Sequence, residues 1–360
     1  MNNKKLVLEN KMVFEGTGFG SNNEAVAYLT FNTQVVGYQE TISDPTNAGK
    51  IICMTYPLIG NYGLNDEDYE SKSIKTKGIV VREYNDLPSN FRFTRTLNDV
   101  MEENNIVGIS NVDTRKLMQV IRSNSLMKGL ICDIDKPLEE CLEILSHYEE
   151  EKLTSFVSSK KIWYSRTHNP KYNIGVVDLG IKRSFIKELN KNGCNVIVFP
   201  YNVTKEELLK YKLDGLFVSN GPGNPNDLEE VENTIKSLIG VLPIFGVALG
   251  AMLIAKAEGA NVQVKEKANN GGNYPVKNVT TSKVEITSIN TIYSLENLEN
   301  TDFEITHENV INKEVLGIKN IDKKIMGIMF YPAVLIDEDS ENMYLEFINL
   351  IKDLGGNNNA

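Results

Sequence analysis

The chain has 360 residues, of which 41% are apolar and 24% charged, and its formal net charge is −10. This length is enough for two domains that each bury a core. The acidic balance, with no basic stripe, argues against a nucleic-acid partner. The one long apolar stretch, 241–255, is shorter than the roughly 20 residues of a membrane span, and the N-terminus lacks a signal-peptide core. We therefore expect a cytoplasmic protein with no membrane partner.

The first 150 residues are rich in strand patterns and form the first predicted domain. Alternating and apolar runs predict strands at 5–14, 25–31 and 51–56. The helical spacing of Leu117, Val120 and Ile121 predicts a helix over 114–123. A second helix is expected after Pro137. The charged and polar segment 151–171 is typical of a linker.

From residue 172 the pattern changes to an alternation of strands and helices, which predicts a mainly parallel sheet covered by helices. Strands are expected at 174–179, 195–200, 215–219 and 242–247, and helices at 182–192, 227–239 and 250–257. The remainder predicts strands at 283–289, 303–306 and 325–330, with a closing helix over 342–354. The fold class is therefore α/β, with a β-rich N-terminal domain at 1–150 and a second domain at 172–356.

The segment 245–252 predicts a nucleophile elbow. It passes from a strand through Gly246-x-x-x-Gly250 into a helix, a turn that lifts one side chain above the sheet edge. The residue at the tip of such a turn is normally Ser or Cys. Here it is Ala248, whose methyl group can neither attack a substrate nor ionise.

Several motifs resemble the small subunit of carbamoyl-phosphate synthetase over nearly the whole chain. They are Val13-Phe14-Glu15-Gly16-Thr17-Gly18-Phe19-Gly20, Gly37-Tyr38-Gln39-Glu40, Asp44-Pro45, Thr55-Tyr56-Pro57-Leu58-Ile59-Gly60-Asn61-Tyr62-Gly63 and Asp113-Thr114-Arg115. The C-terminal half resembles a class I glutamine amidotransferase domain. In that family a Cys thiolate attacks the amide of glutamine and a His–Glu pair assists. The released ammonia passes to a large subunit, which also uses ATP.

The resemblance implies that the catalytic triad is absent. Its three positions are occupied by Ala248, Tyr331 and Ala333. A phenol with an ordinary pKa near 10 is a poor base at neutral pH. No catalytic residue is therefore intact.

The resemblance also implies a vestigial glutamine pocket. Gly221 and Gly223 would contact glutamine, and Leu249 would lend its N–H to an oxyanion. The family's His-Gln after the elbow reads Ala251-Met252, and its His-His pair reads Asn269-Asn270. The predicted pocket comprises Thr46, Gly221, Gly223, Leu249, Met252, Asn290, Ile292 and Tyr293. An ordinary strand-to-helix turn is the alternative interpretation of the glycine loop.

The remaining histidines and the cysteines are predicted to be structural. His147, His168 and His307 lie outside the pocket motifs. The cysteines show no metal-ligand spacing, so we expect reduced, packed thiols and no metal site. They are Cys53, Cys132, Cys141 and Cys194.

We therefore expect a small subunit that cannot hydrolyse glutamine and that binds a large synthetase subunit using free ammonia. The product would be carbamoyl phosphate for the pyrimidine or arginine pathway. ATP and magnesium are expected on the large subunit, with no cofactor in this one. Three alternatives remain open: a pseudoenzyme that senses glutamine or another small molecule, a glutaminase with an atypical nucleophile, and a protein with a different partner.

Overall fold

The computed structural model describes residues 3–124, 126–332 and 342–355, with side chains up to residue 352. Within these ranges the chain forms two compact units. The first contains the residues up to Leu153 together with Lys265–Gly271. The second contains the rest of the chain from Thr154 onward.

The described part of the first unit is built on a closed β-barrel. Its strands are β1 (Asn3–Leu8), β2 (Val13–Gly20), β3 (Ala25–Asn32), β4 (Ile51–Met54), β5 (Leu58–Ile59), β6 (Gly78–Val80), β7 (Glu83–Tyr84), β8 (Val107–Ser110) and β9 (Lys128–Asp133). The barrel order is β1-β2-β8-β6-β4-β3-β9, and β5 pairs with β7 in a separate ribbon. The strands predicted at 25–31 and 51–56 are confirmed as β3 and β4, whereas the segment 5–14 contains most of β1, a turn and the start of β2.

Successive side chains of β1 pack alternately into two apolar clusters. Leu6 and Leu8 pack in one apolar cluster, whereas Val7 packs in another, and all three are fully buried. Because successive side chains of a strand point to opposite faces, a strand with no polar alternation is covered on both sides.

Four helices accompany the barrel: α1 (Tyr38–Ser43), α2 (Leu97–Glu103), α3 (Thr114–Ser123) and α4 (Leu138–His147). The two helices predicted in this half are confirmed as α3 and α4. Helix α3 begins after Asp113, whose Oδ1 accepts a hydrogen bond from the N–H of Lys116 at 3.1 Å. This contact satisfies one of the free N–H groups of the first turn.

The second unit is built on one long sheet. Its strands are β10 (Trp163–Ser165), β11 (Tyr172–Asp178), β12 (Cys194–Pro200), β13 (Gly215–Val218), β14 (Ile244–Val247), β15 (Asn261–Asn278), β16 (Val284–Glu296), β17 (Glu304–Asn309), β18 (Val315–Asn320) and β19 (Ile325–Ile328). The order is β10-β12-β11-β13-β14-β19-β18-β17-β15-β16. The central strands β12, β11, β13, β14 and β19 run parallel, as the alternating pattern predicted.

Helices cover both faces of this sheet. They are α5 (Leu153–Val157), α6 (Arg183–Lys191), α7 (Lys205–Leu208), α8 (Glu229–Leu238), α9 (Leu249–Ala257) and α10 (Met343–Gly355). Residues of α6 and α10 share one apolar cluster with Phe217 and Phe245, and residues of α7 and α8 share another with Leu216 and Val218. The α/β fold class is confirmed. None of the described helices has both the length and the apolar character needed to cross a lipid bilayer.

Several elements were not predicted from the sequence patterns, and two of them lie where the composition is typical of a linker or a loop. The segment 151–171 contains β10, whose residues Trp163 and Ser165 pair antiparallel with Val198 and Val196 of β12. Strand β15 was not predicted because Gly271, Gly272 and Pro275 fall inside it, and these residues are typical of loops. Pairing with neighbouring strands overrides that local preference.

Replacing Phe217 by alanine is expected to lower the free energy of unfolding by about 3–5 kcal/mol, because the change leaves a cavity in the core. Phe217 is fully buried, and its ring centroid lies 5.3 Å from that of Phe245 and 6.0 Å from that of Phe185. Urea denaturation followed by circular dichroism measures the change. Ile311→Ala, at a side chain that is 77% exposed, is the matched control. It should shift the value by less than about 0.5 kcal/mol, and equal losses for both variants would contradict this core assignment.

Candidate functional site

The backbone of the predicted nucleophile elbow is present at Ala248. Strand β14 ends at Val247, helix α9 begins at Leu249, and Ala248 between them has φ 51° and ψ −109°. These angles match the first central position of a type II′ turn, which favours glycine. A non-glycine residue held there costs on the order of 1–3 kcal/mol, and such strain is typical of a nucleophile elbow.

Two glycines make this turn possible. A Cβ on Gly250 would lie 2.1 Å from the carbonyl oxygen of Val218, at the end of β13. A Cβ on Gly246 would lie 2.5 Å from Ile254 Cδ1 and 2.6 Å from the carbonyl carbon of Gly250. Only glycine fits at either position, so the Gly-x-x-x-Gly pattern follows from close packing of the elbow against the sheet.

The side chains of the elbow are buried in an apolar cluster. Ala248 is 6% exposed, and Ala251 and Met252 pack in the same cluster. The N–H of Ala248 donates to the carbonyl oxygen of Ile328 at 2.8 Å, and the N–H of Met252 donates to the carbonyl oxygen of Ala248 at 3.1 Å. The elbow is thus tied to the neighbouring strand β19 and to its own helix.

Leu249 supplies the first N–H of helix α9. The first N–H groups of a helix have no acceptor within it and carry a partial positive charge. The backbone feature that the resemblance assigns to Leu249 is therefore retained, although its role toward a ligand stays a prediction. The leucine side chain itself is buried among the apolar residues that α8 and α9 share.

The glycine loop after β13 packs on the end of β11. Asn220 is fully buried, and its Nδ2 donates to the carbonyl oxygen of Gly180 at 3.0 Å. A Cβ on Gly221 would lie 2.1 Å from the carbonyl oxygen of Leu179, and Gly223 has φ 102°. Both glycines therefore have a structural reason to be there, and ligand contact by either stays a prediction.

The resemblance places the family's histidine base at the position of Tyr331, and that assignment stays a prediction. Its N–H donates to the carbonyl oxygen of Ser288 at 2.9 Å, which fixes the backbone beside β16. Its ring centroid lies 5.9 Å from the ring of Phe185 and 4.7 Å from Lys182 Nζ. The half-buried ring packs against the apolar cluster that contains Ala248. The Tyr331 ring thus makes one aromatic and one cation–π contact within the chain.

Lys182 and Phe185 were not singled out from the sequence. They lie one turn apart where α6 begins, directly after the carboxyl end of β11. Their placement could have indicated them, because ligand sites of parallel sheets lie at the carboxyl edge of the sheet.

The other pocket residues of this unit lie on β16. Asn290, Ile292 and Tyr293 all belong to this strand, and Tyr293 packs against the cluster around Ala248. The N–H of Tyr293 donates to Thr291 Oγ1 at 3.0 Å. Ile292 is half-buried and carries a branched side chain. The glycine that the resemblance implies for this position stays a prediction.

Thr46 and Asn270 belong to the first unit. Thr46 is 4% exposed, and its Oγ1 donates to Asp44 Oδ1 at 2.7 Å. Asn270 is 5% exposed, and its Nδ2 donates to Thr30 Oγ1 at 2.8 Å. A ligand contact by Thr46 stays a prediction. Ala333, the third triad position, lies outside the described residues.

Two of the three histidines contact neighbouring protein groups, and the third is exposed. His307 is 4% exposed, its Nδ1 lies 2.9 Å from Thr306 Oγ1, and its ring lies 5.1 Å from that of Phe330. His147 Nδ1 lies 2.9 Å from the carbonyl oxygen of Glu143, and His168 is exposed. In the part of the chain that the structure describes, no group of three or more His, Cys, Asp or Glu side chains is placed to hold a metal ion.

The thiols are poor substitutes for the missing nucleophile. All four cysteines are buried and free. Burial raises the pKa of Cys194 to about 12 and raises the pKa of Cys53 further. Because the thiolate is the reactive form, a thiol with a raised pKa is almost entirely unreactive at neutral pH.

Comparison with known proteins finds two families along the chain. The model for the carbamoyl-phosphate synthase small chain, CPSase domain, matches residues 6–131, and that for glutamine amidotransferase class-I matches residues 175–350. The chain is 40% identical to the carbamoyl phosphate synthase pyrimidine-specific small chain of Bacillus subtilis strain 168, over 97% of this chain and 96% of that protein. It is 39% identical to the carbamoyl phosphate synthase small chain of Clostridium perfringens, over 96% of this chain and 98% of that one. The similarity therefore covers both halves of the chain.

Ala248→Gly is expected to leave the free energy of unfolding unchanged or to raise it by up to about 2 kcal/mol, because glycine relieves the strain at positive φ. Ala255→Gly, inside α9 at an ordinary helical position, is the matched control and should lower the free energy of unfolding by about 1 kcal/mol. Urea denaturation of the two variants beside the parent measures both changes. Equal destabilisation by the two substitutions would contradict a strained elbow.

Proposed function

The chain belongs to the family of carbamoyl-phosphate synthase small chains, and we propose that it is a member that assembles with a synthase large chain without hydrolysing glutamine. One observation carries this proposal. The strained backbone of a nucleophile elbow is kept at Ala248, while the side chain at its tip has no reactive atom.

The missing atom blocks the first chemical step. Covalent hydrolysis of an amide at such a site requires a sulfur or oxygen lone pair that bonds to the amide carbon as the C–N bond breaks. The methyl group of Ala248 has none. Removing the nucleophile or the base of a catalytic unit costs about 10⁶ in kcat in a well-studied protease, and here both positions are changed.

The side chains that share a cluster with the elbow are also mainly apolar. Met252, Tyr293 and Tyr331 belong to or pack against the apolar cluster that holds Ala248. Glutamine presents an amide, a carboxylate and an ammonium group, each of which costs free energy when buried without a partner. An apolar lining therefore supports loss of glutamine binding together with loss of its hydrolysis.

The preserved N-terminal domain supports a role in assembly. The family model for this domain matches residues 6–131, and its relatives are named small chains of a synthase. The proposed partner is the large chain, on which ATP and magnesium would bind. Free ammonia would replace glutamine as the nitrogen source. The product would be carbamoyl phosphate for pyrimidine synthesis, as the name of the Bacillus subtilis relative suggests, or for arginine synthesis.

A second candidate function is a pseudoenzyme that binds glutamine or a related molecule and signals its presence. The observation that favours it is the intact glycine loop, in which Gly223 has φ 102° and Gly221 lies too close to the Leu179 carbonyl oxygen to carry a side chain. Ile292 and Tyr331 oppose it, because both bring carbon surface to a pocket for a polar ligand.

The purified pair of small and large chains is expected to make carbamoyl phosphate with ammonium but not with glutamine. The assay follows product formation with ATP, bicarbonate and either nitrogen source. A small chain that carries the Cys, His and Glu of the family is the positive control. Glutamine-supported turnover that matches ammonium-supported turnover would overturn the proposal, whereas failure of the two chains to copurify would overturn only its assembly half.

Calorimetric titration with L-glutamine is expected to show no saturable heat at ligand concentrations up to about 1 mM, a limit that corresponds to a binding free energy near −4 kcal/mol. Ile292→Gly is the matched variant, since it removes the branched side chain from β16 without a change of charge. Saturable micromolar binding by the unaltered chain would favour the sensing function. Binding by the variant alone would assign the loss to Ile292.

A further inference from the structure

Two thiols of the first unit lie in contact with each other. Cys132 belongs to strand β9 and Cys141 to helix α4, both are fully buried, and their Sγ atoms lie 3.6 Å apart. This separation allows a weak S–H···S hydrogen bond. A disulfide needs about 2.05 Å between the sulfurs, so closure requires the two Sγ atoms to move closer together.

The contact lies in a small apolar cluster between α4 and the barrel. Val7, Leu130 and Leu145 complete its buried part. Cys141 and Leu145 are the two buried residues of α4, and the helix begins after Pro137 without a side-chain cap. A helix held by so few buried groups opens at a lower free energy than the barrel core.

We propose that Cys132 and Cys141 are an oxidisable pair that forms a reversible disulfide with hydrogen peroxide as the oxidant. The bond ties α4 to β9. It is a modification site separate from the elbow and does not rest on the proposed function.

The reaction balances in two steps. One sulfur attacks the peroxide, the O–O bond breaks, and the products are a sulfenic acid and one water. The second thiol then attacks that sulfur, the S–S bond forms, and the hydroxyl leaves as a second water with the thiol proton. The two sulfurs together lose two electrons, which the peroxide gains. A small dithiol reverses the change by exchange.

Burial sets the rate of this reaction. Desolvation and the neighbouring thiol raise the pKa of Cys132 to about 12, so the closed state holds almost no thiolate at neutral pH. Oxidation therefore proceeds through transient opening of α4, which exposes both thiols together. Once formed, the disulfide constrains that opening and stabilises the unit.

The test is to expose the native full-length chain to hydrogen peroxide, quench the reaction, and count free thiols after denaturation. The count is expected to fall from the four cysteines present to two. Peptide mapping without reductant should identify one cross-link, between the peptides of Cys132 and Cys141. Dithiothreitol should restore all thiols, and the oxidised chain should unfold at a higher temperature than the reduced chain.

Cys141→Ala should abolish the cross-link, whereas Cys194→Ala, in strand β12 of the other unit, should leave it intact. Peptide mapping of the unaltered chain tests the proposal even if a variant fails to fold. The proposal is overturned if the native chain keeps all its thiols on prolonged exposure to excess hydrogen peroxide. It is equally overturned if Cys53 and Cys194 disappear as fast as the pair, or if the products are sulfinic acids without a cross-link.

Discussion

The close approach of helix α9 to strand β13 is the constraint on which the second unit depends. Gly250 lies so near the carbonyl oxygen of Val218 that even a methyl group would collide with it at 2.1 Å. This contact forces the chain to turn within one residue after β14. Ala248 must therefore adopt a backbone conformation that L-residues avoid. The turn follows from packing, so it persists when the side chain at its tip carries no chemistry.

The same unit packs aromatic and charged side chains at the carboxyl edge of its sheet. A site for glutamine needs polar groups that face one another across the carboxyl edge of the sheet. At this edge the chain instead places Tyr331 beside Phe185 and under the Lys182 ammonium, next to the apolar cluster of the elbow. These contacts lie within the chain and stabilise the fold.

Much of this arrangement could be predicted from sequence. The alternation of strands and helices after residue 172 gave the parallel sheet, and Gly246 and Gly250 gave the elbow, because both are local patterns. Closure of the barrel could not be predicted, since β1 meets β9 only through pairings between distant residues. Strand β15 was missed because Gly271 and Pro275 favour loops. The contact of Lys182 with Tyr331 joins two segments far apart in the chain, and no single-sequence pattern reports it.

The central claim is that nitrogen from glutamine no longer reaches carbamoyl phosphate through this chain. The most direct measurement supplies the assembled synthase with glutamine labelled with nitrogen-15 at the amide and with unlabelled ammonium together. Mass spectrometry then reads the nitrogen of the product. The account predicts carbamoyl phosphate that carries only unlabelled nitrogen. Product carrying nitrogen-15, with release of glutamate in equal amount, would contradict it.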